Sequence, residues 1–281
     1  MILDGKALSK KINDQLKEEV GALIEKTNII PRMAIVLVGE NHASDVYVRN
    51  KVRAANHVGI DAKVIKLDSE VTQDQVNEVI DELNNDKSVH GIIVQLPLPR
   101  HLNEFEIINR IADYKDIDGF HLLNKGRLFT GNPSFVPATP YGIIEILDHY
   151  GIETLGKLAV VVGRSNIVGK PAASLLLNKD ATVVISHSHT KNLKALTVQA
   201  DILVVAVGKA KLITADMVKP GAVVIDVGIN RDGNKICGDV DFEAVKEVAS
   251  YITPVPGGVG PMTIAMLIKN TVEGYKKQIA E

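Results

Sequence analysis

Apolar segments of strand length alternate with amphipathic segments of helix length in the first half of the chain, and this alternation constrains the fold more than any other feature. The predicted elements follow in the order strand 33–38, helix 44–57, strand 64–67, helix 72–83 and strand 91–96. Such an order builds a parallel sheet with helices on both faces. Functional groups gather at the carboxyl ends of parallel strands, which singles out Gln95, Asp118 and the loop after Gly39.

Capping signals mark the limits of several predicted helices. An amphipathic helix over residues 8–23 precedes the first strand, and Ser44 is predicted to cap the next helix, which Gly59 ends. Thr139 and Pro140 form a cap and first-turn signal for a helix that ends at Gly151. A domain boundary is therefore expected near that helix.

A second series of strands follows the boundary. Strands are predicted at 158–162, 181–186, 202–207 and 222–227, with a long terminal helix over 262–278. The length of 281 residues suits two domains of ordinary size. We therefore predict an α/β protein with two doubly wound parallel-sheet domains, the second able to bind a nucleotide.

Composition excludes several function classes. Lys and Arg total 32 against 34 Asp and Glu, so the net charge of −2 gives no general attraction to nucleic acid or to an anionic membrane. The apolar runs are strand-sized, and neither a membrane span nor a signal peptide is predicted. A single cysteine, Cys237, excludes an intrachain disulfide and a cysteine-cluster metal site. We expect a cytoplasmic protein without a metal site.

A glycine-rich turn begins where the strand 158–162 feeds a helix. Gly163 permits the tight turn, Gly169 permits close helix packing, and the helix amino terminus is expected to point free N–H groups at a phosphate. Ser165 replaces the middle glycine of the usual pattern, and a purely structural turn remains an alternative.

The end of the next strand bears on the choice of dinucleotide. NAD sites usually carry an acid there, whereas this chain has Ser186, His187, Ser188 and His189. No carboxylate is present to repel a 2′-phosphate, and Arg164 and Ser188 are both able to bind one. The sequence favours NADP over NAD, although these residues also suit a solvated loop.

Tyr47 and Lys51 are four residues apart on a predicted helix and share one of its faces. A lysine beside a phenol is able to carry a proton, although such pairs are more often solvated surface. The same spacing occurs in short-chain dehydrogenases, but there it follows the glycine-rich turn, and here it precedes it. Gln95 ends a buried strand and is followed by Pro97 and Pro99, so its amide is predicted to face a cleft.

Five motifs, taken together, carry a resemblance to a known family. They are Ser44-x-x-Tyr47-Val48-x-x-Lys51, Gly91-Ile-Ile-Val-Gln95-Leu-Pro-Leu-Pro99, Lys115-Asp-Ile-Asp118-Gly119, Gly163-Arg-Ser-x-Ile-Val-Gly169-x-Pro171 and Pro254-Val-Pro-Gly-Gly-Val-Gly-Pro-Met-Thr263. In this order the chain closely resembles the bifunctional methylenetetrahydrofolate dehydrogenase/methenyltetrahydrofolate cyclohydrolase family over essentially its whole length.

The resemblance implies a catalytic folate-binding domain formed by residues 1–138 with 264–281, a Rossmann-type NADP domain at 139–263, and a cleft between them that holds folate. It implies Lys51 as the catalytic lysine, Tyr47 as its partner beside the folate, Gln95 as the amide that tunes Lys51, and Asp118 as the anchor of the pterin. The residues that would line the NADP site are Gly163, Arg164, Ser165, Ser188, Ile229 and Thr263. The loop of Pro256, Gly257, Gly258 and Val259 would close on the substrate.

The activity that the resemblance implies is oxidation of 5,10-methylenetetrahydrofolate by NADP, followed by hydrolysis of the methenyl product to 10-formyltetrahydrofolate. A homodimer that pairs through the NADP domain is also implied. The alternative within the same scaffold is a monofunctional methylenetetrahydrofolate dehydrogenase. A regulator that only senses NADP is a third hypothesis, but it would have no reason to keep Tyr47, Lys51 and Gln95 together.

Overall fold

The chain divides into two compact units. The structure, a computed structural model, describes residues 1–40, 42–233 and 235–279, with the side chains of all of these except residues 42 and 43. The first unit comprises Lys10–Ala138 and Ile264–Glu281, and the second comprises Met1–Ser9 and Thr139–Thr263. Residues 280 and 281, which the predicted folate-binding domain includes, lie outside the described residues.

The helices and strands of the first half of the chain follow the predicted alternation up to the third strand, and the two helices after it were not predicted. The elements are α1 (Gly5–Thr27), β1 (Arg32–Val38), α2 (His42–Val58), β2 (Asp61–Leu67), α3 (Gln73–Asn85), β3 (Gly91–Val94), α4 (Glu104–Arg110) and α5 (Leu122–Phe129). The three strands form a parallel sheet in the order β2-β1-β3. β1 and β3 are buried along nearly their whole length, as strands covered on both faces must be.

Local interactions explain where these elements begin and end. Thr72 caps α3 through a capping box with Gln75, in which each side chain accepts a hydrogen bond from the other residue's backbone N–H. The prediction that Ser44 caps α2 is wrong, because the helix begins two residues earlier and Ser44 lies buried in its first turn. Gly59 ends this helix with a positive φ of 95°, as predicted. The loop after Gly39 includes residue 41, which lies outside the described residues.

The second half of the chain builds most of the second unit and ends in a helix whose residues from Ile264 onward belong to the first unit. Its elements are α6 (Ala138–His149), β4 (Leu158–Val162), α7 (Gly169–Asn178), β5 (Thr182–Ser186), α8 (Leu193–Thr197), β6 (Ile202–Val205), β7 (Val223–Asp226), β8 (Asn230–Asp232), β9 (Lys235–Cys237), α9 (Phe242–Val245), β10 (Tyr251–Ile252) and α10 (Val259–Ile279). Five of the strands form a parallel sheet in the order β10-β7-β6-β4-β5. The predicted α/β class with two parallel sheets is thereby confirmed.

Three strands of the second unit were not predicted. β8 and β9 form an antiparallel pair of three residues each, and β10 adds two residues to the edge of the large sheet. Segments this short carry no readable hydrophobic period. The terminal helix begins at Val259, three residues before the predicted start.

None of the described helices combines the length with the apolar character that a membrane-spanning segment requires.

Candidate functional site

Lys51 and Gln95 come together at the carboxyl end of β3. The Lys51 Nζ donates a hydrogen bond of 3.1 Å to Gln95 Oε1. The other end of the same amide donates from Nε2 to the Leu96 carbonyl oxygen at 2.7 Å, which orients Oε1 towards the lysine. The backbone N–H of Gln95 still bonds to the Val36 oxygen on β1, so the sheet fixes the position of this residue.

Tyr47 lies one helical turn before Lys51 on α2. Its side chain is 45% exposed, and within the described part of the chain its hydroxyl makes no hydrogen bond with the lysine. The phenol is therefore open to a ligand on the face that Lys51 also occupies.

Asp118 lies in the turn that follows Asp116. Burial raises the pKa of Asp118, and the positive charge of Lys51 opposes that rise. Asp118 therefore lies within electrostatic range of Lys51. Gly119 adopts a φ of 71°, and a Cβ there would lie 2.8 Å from the Pro137 nitrogen, so the turn requires glycine.

A buried lysine, Lys115, ties this turn to the end of α3. The side chain is 2% exposed, and its ammonium donates to three carbonyl oxygens at 3.0, 2.9 and 2.7 Å, those of Leu83, Asn84 and Asp86. A cation at a helix carboxyl terminus satisfies carbonyl groups that have no partner within the helix. Burial lowers the pKa of Lys115, and the nearby Asp86 opposes that effect.

Asp116, which is 1% exposed, holds the turn from its other side. Its carboxylate accepts hydrogen bonds from the backbone N–H groups of Phe120 at 3.1 Å and His121 at 2.8 Å, and from the Asn124 side chain at 2.8 Å. Burial raises the pKa of Asp116 to about 7 despite these donors. Lys115 and Asp116 were not predicted to have a role of their own. Their signal in the sequence is that they open the motif Lys115-Asp-Ile-Asp118-Gly119.

The glycine-rich turn between β4 and α7 is as tight as predicted. Gly163 has a φ of 132°, and a Cβ at Gly169 would lie 2.2 Å from the Gly163 carbonyl oxygen. Both positions therefore exclude a side chain.

The prediction of free N–H groups at the start of α7 is wrong. Ser165 Oγ accepts from the N–H groups of Val168 at 3.1 Å and Gly169 at 3.2 Å, and the Ser165 carbonyl oxygen accepts from Lys170. The next residue, Pro171, has no N–H to offer. The hydroxyl of Ser165, which stands where the usual pattern has glycine, thus satisfies the donors that the helix would otherwise present.

A cavity of about 390 Å³ opens beside this turn at the carboxyl ends of β4, β5 and β6. Gly163, Arg164 and Ser188 line it, as the NADP hypothesis expects, together with His187 and Lys209. None of the described residues that line the cavity is acidic. Burial and the positive charge of Arg164 both lower the pKa of His187. Lys209 was not predicted, although a lysine that follows a glycine in the loop after β6 is a recognisable signal.

Ser165, Ile229 and Thr263 do not line this cavity. Ile229 is 53% exposed and lies near the start of α10, because a Cβ built on Gly260 would be 4.0 Å from its Cδ1. The Thr263 hydroxyl is hydrogen bonded to that of Thr139 at 3.0 Å.

The loop before α10 packs against the start of α1. The Gly257 carbonyl oxygen accepts from the Lys6 N–H at 2.8 Å, and a Cβ on Gly5 would lie 2.0 Å from the Gly258 oxygen. Gly257 has a φ of 109°, which favours glycine, and Val259 is buried. In the described structure this loop is held by backbone contacts within its own unit.

The comparisons with known proteins cover both units. Residues 3–118 match the family model for the tetrahydrofolate dehydrogenase/cyclohydrolase catalytic domain, and residues 137–279 match that for its NAD(P)-binding domain. The chain is 56% identical over 280 residues to a bifunctional protein FolD of Ligilactobacillus salivarius, covering 99% of this chain and 98% of the relative.

Two solved structures are similar over the whole chain. The bifunctional FolD enzyme of Campylobacter jejuni is 50% identical with a TM-score of 0.97, covering 99% of both chains. The methylenetetrahydrofolate dehydrogenase-cyclohydrolase of Trypanosoma brucei, solved with NADP and an inhibitor, is 38% identical with a TM-score of 0.97, covering 100% of this chain and 99% of the other.

Proposed function

This chain belongs to the tetrahydrofolate dehydrogenase/cyclohydrolase family, and on that premise we propose that one set of folate-binding residues serves both of its reactions. The enzyme oxidises 5,10-methylenetetrahydrofolate with NADP and hydrolyses the 5,10-methenyl product to 10-formyltetrahydrofolate. The observation that carries the proposal is the hydrogen bond between Lys51 and Gln95, with Asp118 within electrostatic range of the lysine.

Lys51 is the proposed proton carrier of the hydrolysis. Water must lose a proton as it attacks the methenyl carbon, and a ring nitrogen must gain one as the bridge opens. An amine that cycles between charge states serves both transfers. Gln95 holds the Lys51 amine through Oε1, and its own orientation is fixed by the bond to Leu96. Tyr47, exposed on the same helical face, is proposed to lie against the folate.

Oxidation makes a different demand on the same residues. Removal of a hydride from the carbon between N5 and N10 leaves a delocalised cation and formally needs no proton transfer, so positioning dominates this step. Asp118 is the proposed anchor, because a carboxylate accepts two parallel N–H bonds from the aminopyrimidine edge of a pterin. The contacts of Lys115 and Asp116 keep the turn that carries Asp118 in place.

The cofactor site is proposed in the second unit. The residues fit a dinucleotide, since glycine at positions 163 and 169 lets the strand-to-helix turn close tightly, and the adjoining cavity of about 390 Å³ has Arg164 and Ser188 in its lining. NADP, when bound, supplies the hydride acceptor for the oxidation. Arg164 and Ser188 would hold its 2′-phosphate, with no described carboxylate in the lining to oppose it.

The remaining predicted contacts lie outside the lining of this cavity. Ser165 would contribute to the phosphate turn, and Ile229 and Thr263 would meet the cofactor near the start of α10. Pro256, Gly257, Gly258 and Val259 would close on the substrate. The proposed functional division is folate binding by residues 1–138 with 264–281 and NADP binding by residues 139–263. Residues 1–9 of the first group pack in the compact unit of the second.

A homodimer through the NADP-binding domain is part of the proposal. β5 is an edge strand of the five-stranded sheet, and it exposes Ile185, which is 41% accessible. Leu177 on the preceding helix is 55% accessible. An open edge with exposed apolar side chains suits pairing between two copies.

The cytoplasm is the proposed compartment, in line with a chain that has a single cysteine.

Two separate assays on the purified protein test the proposal. The first follows NADPH formation from methylenetetrahydrofolate, and the second starts from methenyltetrahydrofolate without NADP and follows its hydrolysis against the buffer rate. Both activities are expected. Oxidation without enzyme-catalysed hydrolysis would leave a monofunctional dehydrogenase, and the absence of both would refute the proposal.

A further inference from the structure

The buried carboxylate of Asp239 accepts hydrogen bonds from three consecutive backbone N–H groups beside the candidate cofactor cavity. Oδ2 accepts from Val207 at 2.7 Å and Gly208 at 3.0 Å, and Oδ1 accepts from Lys209 at 2.8 Å. Asp239 itself is fully buried, whereas Val207 and Lys209 line the cavity. The carboxylate therefore determines the backbone conformation of one wall of the site without reaching the cavity.

The same carboxylate also holds a second segment. Its Oδ1 accepts from the Asn230 side chain at 2.8 Å, and Asn230 directly follows Ile229, a proposed cofactor contact. A Cβ on Gly228 would lie 2.3 Å from Asp239 Oδ1, so residue 228 must be glycine for the carboxylate to fit. Asp239 thus joins the segment 207–209, of which Val207 and Lys209 line the cavity, to the segment 228–230, which carries the proposed cofactor contact Ile229.

A second buried acid, Asp226, fixes Asp239 in turn. Its Oδ1 accepts from the backbone N–H of Asp239 at 2.9 Å and from Gly228 at 3.0 Å. Burial raises the pKa of Asp226 to about 6, and the neighbouring Asp239 adds to the rise. Placing two carboxylates so close inside a protein is costly, and apolar residues would fill the same space more cheaply. What the carboxylate of Asp239 adds is a single defined conformation for both segments.

We propose that Asp239 is a positioning residue for NADP, which keeps the segments 207–209 and 228–230 in the conformation that receives the cofactor. The inference rests on the proposed NADP site. A loop that is ordered before binding loses less conformational freedom when the cofactor arrives, so its affinity is higher. Asp239 takes no part in folate binding or in proton transfer, and the hydrolysis should not depend on it.

Asp239→Asn tests the proposal with little change of shape. One carboxylate oxygen becomes an NH₂ group, which faces two of the four donors and accepts from neither. The Kd for NADP, measured by isothermal titration calorimetry, and the KM for NADP are both expected to rise by about tenfold or more. The dehydrogenase kcat at saturating NADP and the hydrolysis without NADP should each stay within about twofold of the unmodified enzyme.

Asp201→Asn is the matched control in the same unit. Asp201 accepts from the Leu158 N–H at 2.9 Å and from Lys219 at 2.6 Å, at the amino ends of the strands and away from the candidate cavity. This variant removes a comparable charge and should bind NADP normally. Asn230→Ala, which cuts only the link between the two segments, should raise the Kd for NADP by about threefold and serves if Asp239→Asn does not fold.

An unchanged Kd for NADP in folded Asp239→Asn, or in Asn230→Ala if the first variant does not fold, would overturn the proposal. A parallel loss of both activities would also overturn it, because it would show that Asp239 only keeps the unit folded. If the unmodified protein itself fails to bind NADP, the proposed function fails, and that result is distinct from a failure of the Asp239 inference.

Discussion

Gly169→Ala should separate the two activities of the enzyme. The added Cβ would lie 2.2 Å from the Gly163 oxygen, 2.6 Å from the Gly163 carbon and 2.9 Å from the Arg164 nitrogen. All three are backbone atoms, so no flexible side chain is able to yield. The turn must open by at least 0.8 Å to bring the shortest contact to the 3.0 Å that real Cβ atoms observe.

This displacement falls on the residues proposed to hold NADP. Overpacking of this kind costs about 1 to 3 kcal/mol of stability, and a misplacement of about 1 Å is able to cost about 10²-fold in rate. We expect the KM for NADP to rise by about tenfold to a hundredfold. The hydrolysis of methenyltetrahydrofolate, which needs no NADP, should stay near the unmodified rate.

Gly21→Ala is the control for replacing a helical glycine. Nothing lies within 4 Å of the position that its Cβ would take, and the residue is exposed on α1. This change should leave both activities intact and stabilise the protein by about 0.5 to 1 kcal/mol. A folded Gly169→Ala enzyme with the normal KM for NADP would refute the steric reasoning and the assignment of this turn.

Three further predictions concern single side chains. Asp118→Ala should raise the KM for folate in both reactions, and near-normal substrate affinity in either one would place the pterin anchor elsewhere. Arg164→Ala removes a charge-assisted contact of about 1.5 to 3 kcal/mol, so kcat/KM with NADP should fall roughly tenfold to 150-fold while that with NAD changes little. Equal efficiency with both cofactors in the unmodified enzyme would contradict the preference. Burial lowers the pKa of His90 to about 4 from an ordinary 6.5. Between these two pH values the unfolded chain binds more protons than the folded chain, so the free energy of unfolding rises with pH. The total rise is about 3 kcal/mol. In His90→Asn the asparagine is still able to accept the hydrogen bond from the Arg32 N–H. Urea unfolding near pH 4.5 and pH 7 should show that this variant has lost that part of the pH dependence of stability. The same difference in stability between the two pH values as in the unmodified protein would contradict the prediction.

The long elements were predictable because their apolar periods are clear. β1, α3 and β4 lie within a few residues of their predicted limits, and the family resemblance drawn from the motifs is confirmed by matches over both units. The pair β8 and β9 escaped prediction, because three-residue strands carry no period and are defined by their pairing with each other.

Contacts in which a side chain binds backbone groups far away in the sequence were not predictable. Lys51 and Gln95 are 44 positions apart in the sequence. Gln95 was nevertheless identified as a candidate, because functional groups collect at the carboxyl ends of parallel strands. No such rule places the Asp239 carboxylate on the N–H groups of residues 207–209. The prediction of free N–H groups at the start of α7 failed for a similar reason. The spacing of the glycines does not show that the Ser165 hydroxyl accepts hydrogen bonds from those N–H groups.

Lys51→Met gives the most direct test of the account, in which one lysine carries the proton of the hydrolysis. Methionine keeps much of the length and the apolar stem of lysine but carries no proton. Both rates should be measured on the purified variant after circular dichroism has shown that it is folded. Hydrolysis of methenyltetrahydrofolate should fall by about 10² or more, while the dehydrogenase should lose only what the amine contributes to orienting the folate. Hydrolysis at the rate of the unmodified enzyme would show that Lys51 is not the proton carrier.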